Sequence, residues 1–328
     1  MSAQPADRLS VGFLSTAKIN DLLLDAARQS DQVEVVAVAS RDADRAAAYA
    51  RERGIGRSHG SYEALLADPG VAAVYISLPN SLHHEWTMKA LAAGKHVLCE
   101  KPYTRRPEEV DEAFDAAERA GLVLMEAFMW RHHPQSKRLK ELVDGGAVGE
   151  LRAVRAAFSF VLRREGDVRL DPALDGGSLM DVGCYCVSGS RLLGGEPAAV
   201  TGQAVEAGGV DLRFTGTLAF RGGALAHFDC GFDLPDRSEL VAVGSEGEIE
   251  VSDPWHSQTP GLELRRAGES PQSIEVERGN RYEMQWDNLA RAIRGEEAAL
   301  LDRADALGQA RTIDALYRAT AEGRTVKV

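Results

Sequence analysis

Positive charge is in short supply: 38 Lys and Arg stand against 50 Asp and Glu in 328 residues, a formal net charge of -12. The basic residues form no stripe, so wholesale binding to a phosphate backbone is excluded and no nucleic-acid partner is expected. Long hydrophobic runs are missing too. None approaches the roughly 18 residues that a membrane-spanning helix needs, so no membrane partner is expected. Residues Met1 to Arg8 are polar and carry no basic-then-apolar leader, from which a cytoplasmic location is expected. Only four cysteines occur, Cys99, Cys184, Cys186 and Cys230; they form no CxxC pair and are too sparse for a disulfide framework. They read as reduced, mostly buried thiols, and no metal is expected. Internal repeats and low-complexity linkers are absent.

The length of 328 residues exceeds one ordinary domain, and two domains are expected, each able to bury a core without staples. A compact strand pattern over 9–14 leads through Ser15, Thr16, Ala17, Lys18 and Ile19 into a helical run. Strand, small-residue turn, helix start is the layout that sets a pyrophosphate on helix N-terminal amides, although Ser15, Ala17 and Asn20 stand where a G-x-G-x-x-G motif has its glycines. A second strand over 33–39 ends in Ser40-Arg41-Asp42, about 20 residues after the turn, the distance at which the ribose is read. A site for NAD wants a carboxylate at the strand end. Ser40 and Arg41 occupy it here, and a guanidinium suits a 2′-phosphate, with Arg45 near enough to join, so NADP is expected in preference to NAD.

Helices over 43–53 and 62–67 and a strand over 73–77 continue the alternation. The last of these exits through Leu78-Pro79-Asn80, a wall for a cofactor pocket, towards His83 and a helix ending at Gly94. Next comes Val97-Leu98-Cys99-Glu100-Lys101-Pro102, where an apolar strand stops in an acid, a base and a proline. Ligands of open parallel sheets lie beyond the carboxyl ends of strands, which makes Lys101 the first candidate for a chemical residue. A helix over 107–120 and a strand over 123–126 complete a doubly wound parallel sheet in residues 1–126. Residues 127–328 change pattern: long alternating runs over 151–162, 210–220 and 224–232, joined by short turns, give an α+β domain with a large, mainly antiparallel, open-faced sheet. The helices readable there look too few for both faces, so a homodimer or higher homo-oligomer, formed sheet to sheet, is expected. Within this domain, Gly176 and Gly177 precede a helix expected to carry Asp181 and Tyr185 on one face at i, i+4. A tyrosine, with a pKa of roughly 10, is a poor proton carrier at neutral pH unless a nearby ammonium favours the phenolate, so Tyr185 pairs naturally with Lys101.

Glu100-Lys101-Pro102, the Pro79-Asn80 exit with His83, and the run from Gly176 to Tyr185 together resemble the glucose-fructose oxidoreductase, inositol dehydrogenase and MocA family of nicotinamide enzymes, over nearly the whole chain. Members often have histidine where this chain has Tyr185. The tyrosine, with Met125 to Trp130 before it, is similar to the branch of dihydrodiol dehydrogenases, NADP-dependent D-xylose dehydrogenases and sugar 3-ketoreductases. The resemblance implies a Rossmann first domain and NADP held by the Ser15 to Ile19 turn, Ser40, Arg41 and Arg45. It extends that set to Leu78, Pro79, Asn80, His83, Glu100, Lys101, Trp130 and Arg131, the last two also lining a sugar-sized pocket together with Trp255. It implies hydride exchange with a carbinol or carbonyl carbon of a sugar-like small molecule, with Tyr185 as acid/base, Lys101 tuning it and Asp181 orienting substrate or lysine. The alternatives are an NADP-binding sensor or regulator without catalysis, and a reductase of an imine or C=C bond.

Overall fold

The computed structural model describes residues 8–164 and 166–328, so the leaderless reading of Met1 to Arg8 lies, Arg8 apart, outside the described residues. Contacts between Cα atoms divide the chain into two units. One holds the residues up to Thr104 with Glu108–Met129 and Asn280–Ala306; the other holds Arg105–Pro107, Trp130–Gly279 and Leu307–Val328.

The first unit is built as β1 (Leu9–Leu14), α1 (Asn20–Gln29), β2 (Val33–Ala39), α2 (Ala43–Arg53), β3 (Arg57–His59), α3 (Tyr62–Leu66), β4 (Ala73–Ile76), α4 (His83–Ala92), β5 (His96–Cys99), α5 (Pro107–Ala120) and β6 (Leu124–Glu126). All strand pairs are parallel, in the order β3-β2-β1-β4-β5-β6. Strands covered on both faces read as continuous apolar runs, and Val11, Phe13, Val38, Tyr75 and Leu98 are all fully buried. The strand order reverses between β1 and β4, which places the ligand crevice of such a sheet beyond their carboxyl ends. This is the doubly wound Rossmann sheet the βα alternation implies.

The second unit follows with α6 (Pro134–Asp144), β7 (Leu151–Val161), a π-turn (Leu179–Gly183), α7 (Cys184–Gly194), β8 (Pro197–Ala207), β9 (Val210–Phe220), β10 (Leu225–Gly231), β11 (Asp233–Gly244), β12 (Gly247–Ser252), β13 (Gly261–Arg266) and β14 (Gln272–Ile274). The chain then returns to the first unit in α8 (Arg281–Ile293), before α9 (Arg303–Glu322) and β15 (Val326–Lys327). A division into 1–126 and 127–328 omits that return. Its physical cause is α8 packing on α1: Trp286, fully buried, donates its indole N–H to the Leu23 carbonyl (3.0 Å), and the Ser30 hydroxyl meets Asp287 (2.6 Å).

The nine strands of the second unit run β14-β13-β12-β11-β7-β10-β9-β8-β15, antiparallel except for β10 beside β7. One face packs on α7, which touches β7, β10 and β11. On the other, Thr215, Thr217, Leu225 and His227 are exposed. Among the described residues no helix is long and apolar enough to cross a membrane.

Candidate active site

The carboxyl ends of β1, β2, β4 and β5 share one edge of the parallel sheet, and four sequence-predicted segments lie there. Ser15 has φ 153°, a backbone conformation that favours glycine, and this identifies it with the tight turn that a glycine usually makes. Its hydroxyl holds the conformation, lying 2.7 Å from the Ser77 hydroxyl and accepting from the Ala17 N–H (3.0 Å). Asn20 fills the space behind, donating to the Ser15 carbonyl (2.8 Å) and accepting from the Ser77 hydroxyl (2.7 Å). The turn is thus built from side-chain hydrogen bonds across the β1/β4 switch point where the usual motif relies on bare backbone. The first turn of α1 has no side-chain cap, whereas α2 and α3 are capped by Asp42 and Ser61. Thr16, Ala17 and Ile19 are half-buried here and Lys18 is exposed.

At the end of β2, Ser40 is buried while Arg41 and Arg45 are exposed. Asp42, the carboxylate next to them, is engaged in capping α2, accepting from the Arg45 N–H (3.0 Å).

At the exits of β4 and β5, Leu78 is buried and Pro79 and Asn80 are half-buried. His83 is wholly enclosed, its ring nitrogens facing the Leu78 carbonyl (2.8 Å) and the Pro102 carbonyl (2.9 Å). It therefore ties the two strand exits together and presents no ring atom to a ligand. Burial pushes its pKa below the ordinary imidazole value, with Lys101 adding to the effect and the carbonyls opposing it. The Glu100 carboxylate accepts from the Tyr75 hydroxyl and from the Lys101 N–H (3.3 Å). Burial, and then Glu100 itself, pushes the Tyr75 phenol well above its ordinary value and keeps it a donor. Lys101, half-buried, leaves the strand from this braced point.

In the second unit, Asp181 and Tyr185 do not share one α-helix as their spacing suggests. Asp181 lies in the π-turn, and Tyr185 is the second residue of α7. The Tyr185 ring is buried, edge-on to Phe158 (5.3 Å) and 5.9 Å from Trp255. Trp255 is fully buried, donates its indole N–H to the Ala157 carbonyl (2.9 Å), and lies against Tyr185 with its ring tilted at 59°. Trp130, also buried, packs edge-on to Trp255 (5.2 Å), and Arg131 reaches Ser188 (3.4 Å). Gly189 admits Trp255, because a Cβ there would lie 2.9 Å from the indole.

Two residues that the sequence reading missed hold this segment. Arg169 donates to the Asp181 carboxylate (2.6 Å), and the pairing, led by the charge of Asp181, raises the arginine's pKa. Asp211, the second residue of β9, is buried and accepts from the Ser178 hydroxyl (2.7 Å), the Leu179 N–H (2.7 Å) and the Tyr317 hydroxyl (2.9 Å). Burial raises its carboxyl pKa against those donors. By strand alternation Asp211 is in phase with the exposed Arg213, Thr215 and Thr217, and its burial accompanies a register shift beside Glu206 that no local pattern announces. Arg169 likewise carries no local signal, lying in a single short 3-10 turn, Val168–Leu170.

Comparison with known proteins agrees with this architecture. A family model described as "Oxidoreductase family, NAD-binding Rossmann fold" matches residues 9–128, and one described as "GFO/IDH/MocA C-terminal domain" matches residues 136–250. The chain belongs to the Gfo/Idh/MocA family of oxidoreductases. It is 40% identical over 322 residues to a D-xylose 1-dehydrogenase (NADP(+)) of Haloferax volcanii, covering 97% of this chain and 99% of the relative. It is 37% identical over 257 residues to trans-1,2-dihydrobenzene-1,2-diol dehydrogenase of Oryctolagus cuniculus, 76% of each chain. A 3-ketoreductase from Actinomadura kijaniata, solved with NADP and TDP-benzene, superposes with a TM-score of 0.90 at 30% identity, over 96% of this chain and 98% of that one.

Proposed function

We propose that this enzyme is an NADP-dependent dehydrogenase or reductase acting on a carbinol or carbonyl carbon of a sugar, sugar derivative or cyclic diol. The residues fit the cofactor. Ser15 adopts the glycine-like turn below an uncapped helix start, and Arg41 and Arg45 offer exposed guanidiniums where the neighbouring carboxylate is turned away into a helix cap. Bound there, NADP supplies the hydride acceptor or donor. The Tyr185 phenolate takes the substrate's hydroxyl proton in oxidation and the resulting hydroxyl returns it in reduction, the Lys101 ammonium favours the phenolate, and Asp181, held by Arg169, orients the substrate. The observation that carries the reading is Lys101 itself, braced through Glu100 and Tyr75 at the same sheet edge as Ser15 and Arg41. The relatives, a xylose dehydrogenase and a diol dehydrogenase, support the substrate class. The same reading makes the exposed sheet face of Thr215, Thr217, Leu225 and His227 the contact of a homodimer, and four buried free thiols suit the cytoplasm.

The test is turnover. NADP is offered with aldoses and cyclic trans-diols, and NADPH with keto sugars, diketones and cyclic imines, and the nicotinamide absorbance is followed. Turnover with a carbinol or carbonyl compound is expected. NADP bound without any turnover, or turnover with imines alone, overturns the reading.

A further inference from the structure

We propose that Arg105 is a positioning residue for the reaction: paired with Asp175, it holds the Gly176-Gly177 turn in the conformation that aims Asp181 at the substrate. The inference rests on the role of Asp181 given above. Arg105 stands four residues after Lys101, and Arg105–Pro107 belong to the second unit although the chain on either side belongs to the first. Its guanidinium lies 3.0 Å from the Asp175 carboxylate, whose side chain is only 10% exposed, and sits over the Tyr317 ring at 4.8 Å from its centre.

Both contacts grip one segment. Asp175 has φ 57° and ψ 44°, a left-handed conformation that an aspartate adopts more readily than most residues, though not without cost. Gly177 follows at φ 121°, where a Cβ would run into the Asp211 carboxylate. Just beyond it, Ser178 and the Leu179 N–H donate to Asp211, which also accepts from the Tyr317 hydroxyl (2.9 Å). One guanidinium thus touches the acid that opens the segment and the ring whose hydroxyl supports the acid that closes it. An arginine suits this position, since its planar head can pair with a carboxylate and lie on an aromatic face at once.

From the turn to Asp181 the path is short and closed. The Gly177 N–H donates to the Arg169 carbonyl (2.9 Å), the Asp181 N–H donates to the Gly177 carbonyl (3.0 Å), and the Arg169 side chain donates to the Asp181 carboxylate (2.6 Å). A shift at Gly177 therefore moves the backbone of Asp181 and the arginine that holds its carboxylate. Asp175 fixes that turn from the upstream side, and Arg105 fixes Asp175.

The test is steady-state kinetics on the full chain at saturating NADP, with the substrate identified by the panel, beside Tm and calorimetric NADP binding. Arg105→Met, Asp175→Asn and Asp181→Ala are compared, with Arg105→Met also combined with each of the other two. An ion pair whose arginine is about a third exposed adds little to stability, so Tm in Arg105→Met should fall by no more than about 2 to 4 °C. Its kcat is expected to fall about ten- to hundredfold, because misplacing a group by about 1 Å costs on that order, while NADP affinity stays unchanged. Arg105→Met should add nothing once Asp175 is asparagine or Asp181 is alanine. A kcat within about twofold of the parent overturns the proposal. So does weaker NADP binding, which would make Arg105 a cofactor contact, or a Tm loss beyond about 10 °C, which would make it a structural one. A kcat loss that persists in full in either second background overturns it too. If Asp181→Ala itself leaves kcat unaltered, the reading of Asp181 fails and the proposal with it; a loss in Asp181→Ala beside none in Arg105→Met leaves that reading standing and overturns the proposal alone.

Discussion

Tyr185→Phe separates the chemistry of the tyrosine from its packing. The ring is 5% exposed, with Phe158 at 5.3 Å and Trp255 at 5.9 Å, and phenylalanine keeps each of these contacts. Only one hydroxyl is lost, so stability should change by no more than about 1 kcal/mol, the usual net worth of one hydrogen bond. A small shift in Tm establishes that the variant is folded. Turnover should fall far more. A positioned acid/base contributes about 10²- to 10⁴-fold, or about 2.7 to 5.5 kcal/mol of barrier. Affinity for NADP should barely move, because the proton passes to the substrate. The assay is initial rates at saturating NADP, with the substrate identified by the panel, beside calorimetric NADP binding. Lys101→Met should also lower kcat, and in whatever activity remains should move the pH optimum upward, since the charge favouring the phenolate is gone. The double variant should be little worse than the worse single one, as for residues that act as a unit. Near-normal kcat in Tyr185→Phe refutes the relay and passes the proton to another group.

Asp211→Ala strands the buried donors of Ser178, Leu179 and Tyr317 and should cost about 2 to 5 kcal/mol, seen as a lower urea midpoint at unchanged slope; a cost below about 1 kcal/mol contradicts its role as the anchor of the glycine segment. For Asp68, burial raises the carboxyl pKa, but the Gly70 N–H, Arg57 and His59 outweigh it and the folded value lies below the ordinary one. Its stabilisation is therefore complete above the unfolded value of about 3.9 and is lost as pH falls through the depressed folded value, so Asp68→Asn should flatten that part of the acid limb of urea stability, and an unchanged limb refutes it. Light scattering at micromolar concentration should give the mass of two chains, with Leu225→Lys, on the exposed sheet face, shifting it to one; a monomeric parent rules out the sheet-to-sheet dimer.

The parallel sheet was legible because its strands are buried on both faces and so read as apolar runs, each ending in a turn. The same contrast exposed Lys101 and Arg41, charges placed abruptly after buried strands, where an open sheet offers its ligand edge. Less legible was anything that depends on a long-range partner. The glycine motif is absent at 15–20, yet Ser15 makes the glycine turn, because Ser77, more than sixty residues away, and Asn20 supply the hydrogen bonds that stabilise it. The return of 280–306 to the first unit is likewise decided by Trp286 reaching Leu23, which no local pattern announces.

The misreading at Asp181 and Tyr185 has a different origin. Placing residues at i and i+4 on one face assumes 3.6 residues per turn, and that assumption fails where the chain runs as a π-turn from Leu179 to Gly183. The wider turn rotates Asp181 relative to the helix that follows. Its carboxylate meets Arg169, in the 3-10 turn Val168–Leu170, while Tyr185 stays among Phe158 and Trp255. The interruption thus gives the two groups separate supports: a guanidinium for the acid, and aromatic rings for the phenol. Such π-turns are frequent at functional sites because one displaced residue re-aims side chains that a uniform helix would hold in line. The i, i+4 spacing alone therefore does not announce Arg169 as the partner of Asp181.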